Sequence, residues 1–292
     1  MNHCQFPGKP DTETMDKIFQ TLMRSPECHI PGSKAYLALR DAAQQQIGDM
    51  FSGEQAVEQP FWEFGRISFP YHRMGAISSL DLFGLDELII FAFYRANRSR
   101  YSKVADIGAN IGLHSLLLGR CGYSVRSYEP DPLHFAKLCA NLERNATTTV
   151  QPIQGAVSTS TGTTRFVRVL GNTTGSHLAG VKDSYGDKEE FEVAVTDISN
   201  IYAENDLIKM DAEGHEVALL SKLSRKEASA VDIIAEVGNE ANASAIYSDC
   251  FAKGINMFSQ KTGWGKVREM GHMPASHREG SLFVTLKDSI LW

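Results

Sequence analysis

The sequence predicts an α/β fold with a mainly parallel sheet whose two faces are both covered by helices. From about Leu80 onward, short apolar segments that are typical of buried strands alternate with longer segments that carry helix caps. Strands that alternate with helices favour βαβ units, and these units build parallel sheets. With 292 residues, of which 42% are hydrophobic, the chain is also long enough to bury a full core.

Residues 1–79 have a different texture and are predicted to form an N-terminal extension to a core of residues 80–292. Helical stretches are expected in the extension over Thr14–Met23 and Lys34–Met50. The segment Pro60–Gly75 follows, and its alternating pattern indicates a short hairpin or a lid. We expect its large apolar side chains to cover a cleft or to join two subunits into a homo-oligomer; they are Phe61, Trp62, Phe64, Phe69 and Tyr71.

The first half of the core is predicted as a helix, two strand–helix pairs and a third strand. Gly122 ends the first paired helix, while Asp131 can cap the second, which has Pro132 at its first position. The predicted elements are, in order, a helix over Leu85–Asn97, a strand over Lys103–Gly108, a helix over Ile111–Gly122, a strand over Tyr123–Pro130, a helix over Pro132–Ala146 and a strand over Thr149–Ser158.

The second half of the core continues the alternation and closes with two strands that we expect to pair antiparallel. The predicted elements are an extended segment over Thr161–Val169, a polar loop over Leu170–Glu190, strands over Glu190–Val195 and Asp206–Asp211, a helix over Glu213–Leu223, a strand over Val231–Val237, a helix over Asn242–Gly254, and the closing strands Ile255–Gln260 and Ser281–Lys287.

Composition excludes several classes of protein. The net charge of −6 disfavours a protein that binds by neutralising many phosphates, so no nucleic-acid partner is expected. The longest apolar run, Leu88–Tyr94, is far shorter than the ~18 residues of a membrane span, so no membrane contact is expected either. Five scattered cysteines without a C-x-x-C pair indicate a reduced, cytoplasmic protein that has no zinc site.

The first core strand ends in a glycine-containing turn that is typical of a nucleoside site. Ligands of such sheets bind at the carboxyl ends of the strands, where Gly108 and Gly112 let the backbone approach a ligand. Glu129 ends the second strand and can accept hydrogen bonds from both ribose hydroxyls. Asn110 replaces a glycine that a pyrophosphate requires, and the carboxylate of Asp106 suits a cation. A nucleoside with a cationic amino-acid group is S-adenosylmethionine. The alternative is a structural turn in which Glu129 only caps the next helix.

At this point the sequence resembles a known family. The segments DIGANIGLHSLLL, YEPDP, GAVS, IKMDAEGHE and SLFV are similar to those of FkbM-type methyltransferases, over about Leu80–Lys287. These are class I S-adenosylmethionine-dependent enzymes that methylate hydroxyls of sugars, glycans and secondary metabolites. The resemblance implies a Rossmann-like class I methyltransferase fold, with a mainly parallel seven-stranded sheet and an antiparallel C-terminal strand. Residues 1–79 match no known segment.

The resemblance also implies which residues hold the cofactor. Gly108 and Asn110 would line its methionine end, Glu129 would bind the ribose, and His114 and Ser115 would meet the carboxylate. The remaining implied positions are Gln154 and Gly155 beside the adenine, and Glu87, an acid on the preceding helix that could equally lie on a solvated face.

A second constellation, KMDAEGHE, ends the fourth core strand. Strand alternation places Lys209 and Asp211 on one face, and Glu213 is expected to turn into the cleft. We predict that Asp211 and Glu213 orient the acceptor or remove its proton; the alternative is helix capping. His215 has a reference pKa better matched to a neutral-pH base, but family members usually have a small or apolar residue there, so a surface histidine is the alternative.

Two further features concern metal and acceptor. Asp211, Glu213 and Glu236 offer oxygen ligands for a divalent cation, yet we predict a site without metal. In the polar loop, Asn172 and His177 are candidate acceptor-binding residues, unless the loop is simply solvated.

The preferred function is O-methylation of a small-molecule or carbohydrate hydroxyl. The first alternative is an RNA methyltransferase, but this sequence has no basic stripe that would support it. The second is a non-catalytic S-adenosylmethionine-binding protein, which would not need the intact second constellation that the sequence has.

Overall fold

A computed structural model describes residues 12–53, 55–75, 77–170, 175–180 and 187–290. The helices in these ranges are α1 (Thr12–Arg24), α2 (Lys34–Phe51), α3 (Leu85–Ala96), α4 (Leu113–Arg120), α5 (Pro132–Arg144), α6 (Ile198–Glu204), α7 (Glu216–Ser221), α8 (Arg225–Ala228) and α9 (Glu240–Lys253). The strands are β1 (Gln59–Pro60), β2 (Arg66–Ile67), β3 (Lys103–Ile107), β4 (Ser124–Glu129), β5 (Val150–Gln154), β6 (Ala156–Ser158), β7 (Gly162–Val169), β8 (His177–Leu178), β9 (Lys188–Asp197), β10 (Leu207–Met210), β11 (Asp232–Ala235), β12 (Asn256–Ser259), β13 (Gly265–Lys266) and β14 (Leu282–Thr285).

The main sheet confirms the predicted fold class. Its strand order is β13-β12-β14-β11-β10-β3-β4-β5, and β3 lies between β10 and β4 with parallel pairing on both sides. The last strand, β14, pairs antiparallel with both β11 and β12, as the closing segments predicted. The two-residue strand β13 extends the predicted seven strands at one edge. Helices pack on both faces, so β3 and β11 are buried runs that lack alternation.

Helix α5 shows why the sequence predicted its start correctly. The side chain of Asp131 accepts hydrogen bonds from the backbone N–H groups of Leu133 and His134, and Pro132 occupies the first helical position. Proline costs nothing there because its missing N–H has no partner in the first turn. The cap therefore holds the chain at a defined angle immediately after Glu129, the predicted ribose ligand.

A second sheet departs from the predicted layout. It has the order β6-β9-β7-β8, and the strand predicted over Thr149–Ser158 is divided between the two sheets. The break falls at Gly155, where an added Cβ would lie 3.0 Å from the carbonyl oxygen of Ala194. A side chain at this position would require the neighbouring strand β9 to shift by a few tenths of an ångström. The loop predicted over residues 170–190 is also partly wrong, because it contains β8 and the beginning of β9.

Most of the aromatic side chains that the sequence singled out in the extension are covered by the chain itself, whereas Tyr71 is 39% exposed. Phe61, Phe64 and Phe69 are at most 3% exposed, and Trp62 stacks on Phe19 of α1 with 4.3 Å between the ring centroids. Strands β1 and β2 form the short hairpin that the sequence predicted. These rings belong to one apolar cluster with side chains of α3 and α4. Because their surface is already buried, they no longer argue for a subunit contact, and both the homo-oligomer and the boundary at residue 79 stay predictions.

The described helices include none that is both long enough and apolar enough to cross a membrane.

Candidate functional site

The carboxyl ends of the parallel strands open into a cleft with about 650 Å³ of empty space, part of it open to solvent, which we call the main cleft. Its walls come from the turns after β3, β4 and β10 and from the second sheet. The predicted site residues that line it are Gly108, Asn110, Glu129, Gly155, His177, Asp211, Glu213 and His215. The fold therefore brings the glycine turn, the acidic strand end and the second constellation together, as the sequence predicted.

Gly108 is required by a close contact between two backbone segments. It has a φ of +74°, and an added Cβ would lie 1.8 Å from the carbonyl oxygen of Asp211. The N–H of Asp211 donates to the carbonyl of Ile107 at 3.0 Å, which holds the two strand ends together. The glycine that the sequence assigned to ligand approach thus also brings the second constellation against the turn.

A Gly108→Ala substitution is therefore expected to destabilise the fold more than Gly122→Ala does. Gly122 has a φ of +90° but nothing within 4 Å of an added Cβ, so it provides the backbone strain without the clash. Strain of this kind costs about 1–2 kcal/mol, and overpacking adds roughly 1–3 kcal/mol. Urea denaturation gives the free energy of unfolding of both variants and of the wild-type protein. Equal losses would show that the contact at Gly108 relaxes without cost.

Glu129 is 5% exposed, and the turns on either side hold both of its carboxylate oxygens. Oε2 accepts the N–H of Asn110 at 2.7 Å, and Oε1 accepts the N–H of Asp131 at 2.8 Å. Burial raises the pKa of Glu129 to about 8, although the two N–H groups act in the opposite direction. The side chain does not cap α5, because Asp131 does. Capping of α5 by Glu129 is therefore wrong, whereas the alternative of a purely structural turn and the ribose contact both stay predictions.

Asp106 and Ser115 lie fully buried and do not line the main cleft. The hydroxyl of Ser115 donates to Oδ2 of Asp106 at 2.6 Å, and the ammonium of Lys209 lies 3.8 Å from Oδ1. Burial opposes the charge of Lys209, but Asp211 and Asp106 hold its pKa above the usual value. A direct contact of Asp106 or Ser115 with a cofactor stays a prediction. The observed contacts connect β3 to α4 and β10 beside the glycine turn.

His114 is bonded within the protein through both ring nitrogens. Nε2 lies 2.8 Å from a carboxylate oxygen of Glu87, and Nδ1 lies 2.9 Å from the hydroxyl of the buried Tyr94. Burial would raise the pKa of Glu87, yet the charge and hydrogen bond of His114 bring it below the usual value. The carboxylate of Glu87 thus has a specific partner rather than only solvent, and the role of His114 toward a cofactor stays a prediction.

The second constellation forms a tight turn, not the start of a helix. Glu213 has a φ of +52° and Gly214 one of +102°, so α7 begins only at Glu216 and the predicted start at Glu213 is wrong. The buried carboxylate of Glu216 accepts the N–H groups of Ala212 at 2.6 Å and Gly214 at 3.0 Å. Burial and the charge of Asp211 raise the pKa of Glu216 to about 7. Sequence reasoning missed this residue, although its spacing from Ala212 could have indicated it.

His215 lies on the main cleft and contacts the second sheet. Its Nε2 lies 2.9 Å from the hydroxyl of Ser158 on β6. Burial lowers the pKa of His215, so the ring is neutral at pH 7, as a base requires.

A second cleft lies beside the main one, and we call it the side cleft. It is lined by Asp211, Glu213, Gly214, Glu216, Glu236, Gly238, Asn239 and His277. Asp211 and Glu213 line both clefts and so form the wall between them. The charge of Asp211, together with burial, raises the pKa of Glu236 well above its usual value. Within the described ranges, no three His, Cys, Asp or Glu side chains are grouped so that they could hold a metal ion, and the metal-free site stays a prediction.

The remaining predicted residues differ in placement. Asn172 lies outside the described residues. His177 is 2% exposed and belongs to β8, where its Nδ1 lies 3.0 Å from the carbonyl oxygen of Gly175. Gln154 is exposed and does not line the main cleft, whereas its neighbour Gly155 does.

Comparisons with known proteins point to one family. The family model described as the Methyltransferase FkbM domain matches residues 106–258, just over half of the chain. The hexuronic acid methyltransferase AglP of Haloferax volcanii is 28% identical over 132 residues, which are 45% of this chain and 54% of that protein. The chain thus spans about half the length of that curated relative.

Two methyltransferases are among the solved structures to which the chain is similar. The METTL16 MTase domain matches with a TM-score of 0.44 and 11% identity, over 76% of this chain and 74% of that one. A SAM-dependent methyltransferase from Agrobacterium tumefaciens matches with a TM-score of 0.42 and 11% identity, over 80% of this chain and 71% of that one.

Proposed function

Because the chain belongs to the FkbM methyltransferase family, we propose that it is an S-adenosylmethionine-dependent O-methyltransferase that acts on a sugar hydroxyl. The observation that carries the proposal is the wall that Asp211 and Glu213 form between the two clefts. A methyl transfer needs a cofactor on one side and an acceptor on the other, with polar groups where they meet.

The main cleft fits the cofactor. When bound, S-adenosylmethionine supplies an electrophilic methyl group. A carboxylate accepts about four hydrogen bonds, and Glu129 has used two, so it can still accept from both ribose hydroxyls. The side-chain oxygen of Asn110 is buried without a hydrogen-bond partner among the described residues, which leaves an acceptor for a ligand donor. Both groups therefore offer what a nucleoside with an amino group requires.

The side cleft fits a polyhydroxylated acceptor. Carboxylate and amide side chains line it, and their oxygens accept hydrogen bonds from hydroxyl groups. The curated relative is a hexuronic acid methyltransferase by name, which supports a carbohydrate as the class of acceptor. Both observations support a carbohydrate acceptor.

Within this proposal, the wall residues act on the acceptor. Asp211 and Glu213 orient the hydroxyl toward the methyl group and accept its proton. His215 is the second candidate for the proton acceptor, because its ring is neutral and lies on the main cleft. The hydrogen bond with Ser158 would hold the ring orientation during the transfer.

An assay with methyl-labelled S-adenosylmethionine tests the proposal. We expect transfer of label to a hydroxyl of one or more sugars in a panel of neutral sugars, hexuronic acids and their oligosaccharides. RNA offered in the same assay should stay unlabelled at every salt concentration. Labelled RNA would replace the proposal by the RNA methyltransferase alternative. Cofactor binding without labelled sugar or RNA in any preparation would favour the non-catalytic alternative.

A further inference from the structure

Arg168 connects the second sheet to the turn after β4 through a buried ion pair. It lies on β7, and its guanidinium donates to both carboxylate oxygens of Asp131, at 2.6 Å from Nε and 2.7 Å from Nη2. Arg168 is 7% exposed and Asp131 1%. The planar guanidinium suits such two-point contacts, which a lysine cannot make.

The guanidinium is held from further sides as well. Its Nη1 donates to Glu189 on β9 at 2.7 Å, and it lies over the ring of Phe191 with 4.9 Å to the ring centroid. Arg168 therefore has a defined orientation within the second sheet before it reaches Asp131. Because its orientation is fixed, the guanidinium can hold Asp131 in a defined place as well as neutralise its charge.

Asp131 connects Arg168 to the carboxylate of Glu129, the proposed ribose ligand. Its N–H donates to Oε1 of Glu129, while its own Oδ1 accepts from Leu133 and caps α5. The backbone of Asp131 thus sets the direction of Glu129, and Arg168 sets Asp131. Without Arg168, the buried carboxylate of Asp131 keeps the N–H groups of Leu133 and His134 but loses its ion pair, so we expect it to shift or to take up a proton.

The same strand also carries part of the opposite wall of the main cleft. Phe166 of β7 lines the cleft, and Val167 pairs in register with His177 of β8, which lines it too. Arg168 therefore connects β7, which carries Phe166 of the cleft lining, to Asp131 and through it to the carboxylate of Glu129.

We propose that Arg168 is a positioning residue that orients Glu129 toward the ribose hydroxyls and couples that orientation to the second sheet. The inference rests on the proposed function, since it needs a nucleoside in the main cleft. It predicts that Arg168 affects recognition of the ribose hydroxyls more than the rest of the ligand.

The test compares S-adenosylhomocysteine with its 3′-deoxy analogue by calorimetry on the full chain. In the wild-type protein, we expect the missing hydroxyl to weaken binding roughly tenfold or more, as a lost hydrogen bond to a charged group does. In Arg168→Met, we expect the two ligands to bind within about twofold of each other, because a misplaced Glu129 no longer distinguishes them. A general loss of structure would weaken both ligands alike and keep the ratio.

Two further variants make the test specific. Arg165→Met removes an exposed arginine of the same strand that pairs with Glu190 and not with Asp131, so it should keep the wild-type ratio. Arg168→Lys keeps the charge without the two-point contact and should give an intermediate ratio, which also serves if Arg168→Met does not fold. A wild-type ratio in folded Arg168→Lys and Arg168→Met would overturn the inference. No binding of S-adenosylhomocysteine by the wild-type protein would instead refute the proposed function.

Discussion

Replacing Glu129 with alanine is expected to lower the affinity for S-adenosylmethionine and S-adenosylhomocysteine at least tenfold. The variant removes the acceptor for two ribose hydroxyls, and each charge-assisted hydrogen bond contributes about 1.5–3 kcal/mol. Calorimetric titration of the folded variant measures the loss. Glu129→Gln should lose less, because one carbonyl oxygen still accepts.

Gln151→Ala provides a matched control for this loss. Gln151 lies on the neighbouring strand β5, but its side chain is exposed and lies off the main cleft. Its removal should leave affinity unchanged. Because Glu129 also accepts the N–H groups of Asn110 and Asp131, the free energy of unfolding is measured in parallel. Wild-type affinity in folded Glu129→Ala would contradict the assignment.

The pH dependence of binding gives a second readout of Glu129. With its pKa raised to about 8 by burial, the free carboxyl group is mostly protonated at pH 7. Ribose hydroxyls donate to the ionised form and stabilise it, so binding releases a proton and affinity increases as the pH rises from 6 to 8. Titrations in buffers with different ionisation enthalpies detect the proton, and Glu129→Gln should abolish its release. A constant affinity over this range would show that the free carboxyl is already ionised.

Asp211→Asn is expected to lower turnover by roughly 10²–10⁴, the usual contribution of a positioned proton acceptor. Asparagine keeps the size of the side chain, so the contact of the Asp211 backbone with Gly108 should persist. Cofactor affinity should change little, because the lost group acts on the acceptor and not on the ribose. Single-turnover rates with labelled cofactor measure the effect once an acceptor is known.

Variants of the neighbouring residues identify the proton acceptor. Glu213→Gln removes the other wall carboxylate, and His215→Gln removes the neutral ring that is bonded to Ser158. If turnover falls in His215→Gln and survives in Asp211→Asn, the base is His215. EDTA should leave wild-type turnover unchanged; a loss that magnesium restores would contradict the prediction of a metal-free site.

Local signals explain why much of the site was predictable. The glycine turn, Glu129 and the segment around Asp211 each sit at the end of an apolar strand, and parallel strands place their carboxyl ends at one edge. Within the main sheet, the order of the strands alone brought these segments together. Errors arose where a local pattern had two outcomes, as at Glu213, whose positive φ replaces the helical start that its sequence suggests.

By itself, the sequence determined the α/β class, the capped helices and the carboxyl-edge location of the site, because these depend on periodicity, caps and spacing within short segments. Only the tertiary structure decided which polar groups face the ligand and which are used up inside the protein. Asp106 is bonded to Ser115 and lies beside Lys209, and Arg168 reaches Asp131 across 37 positions of the chain. Such partners meet through the packing of separate elements, and no local pattern records the distance between them.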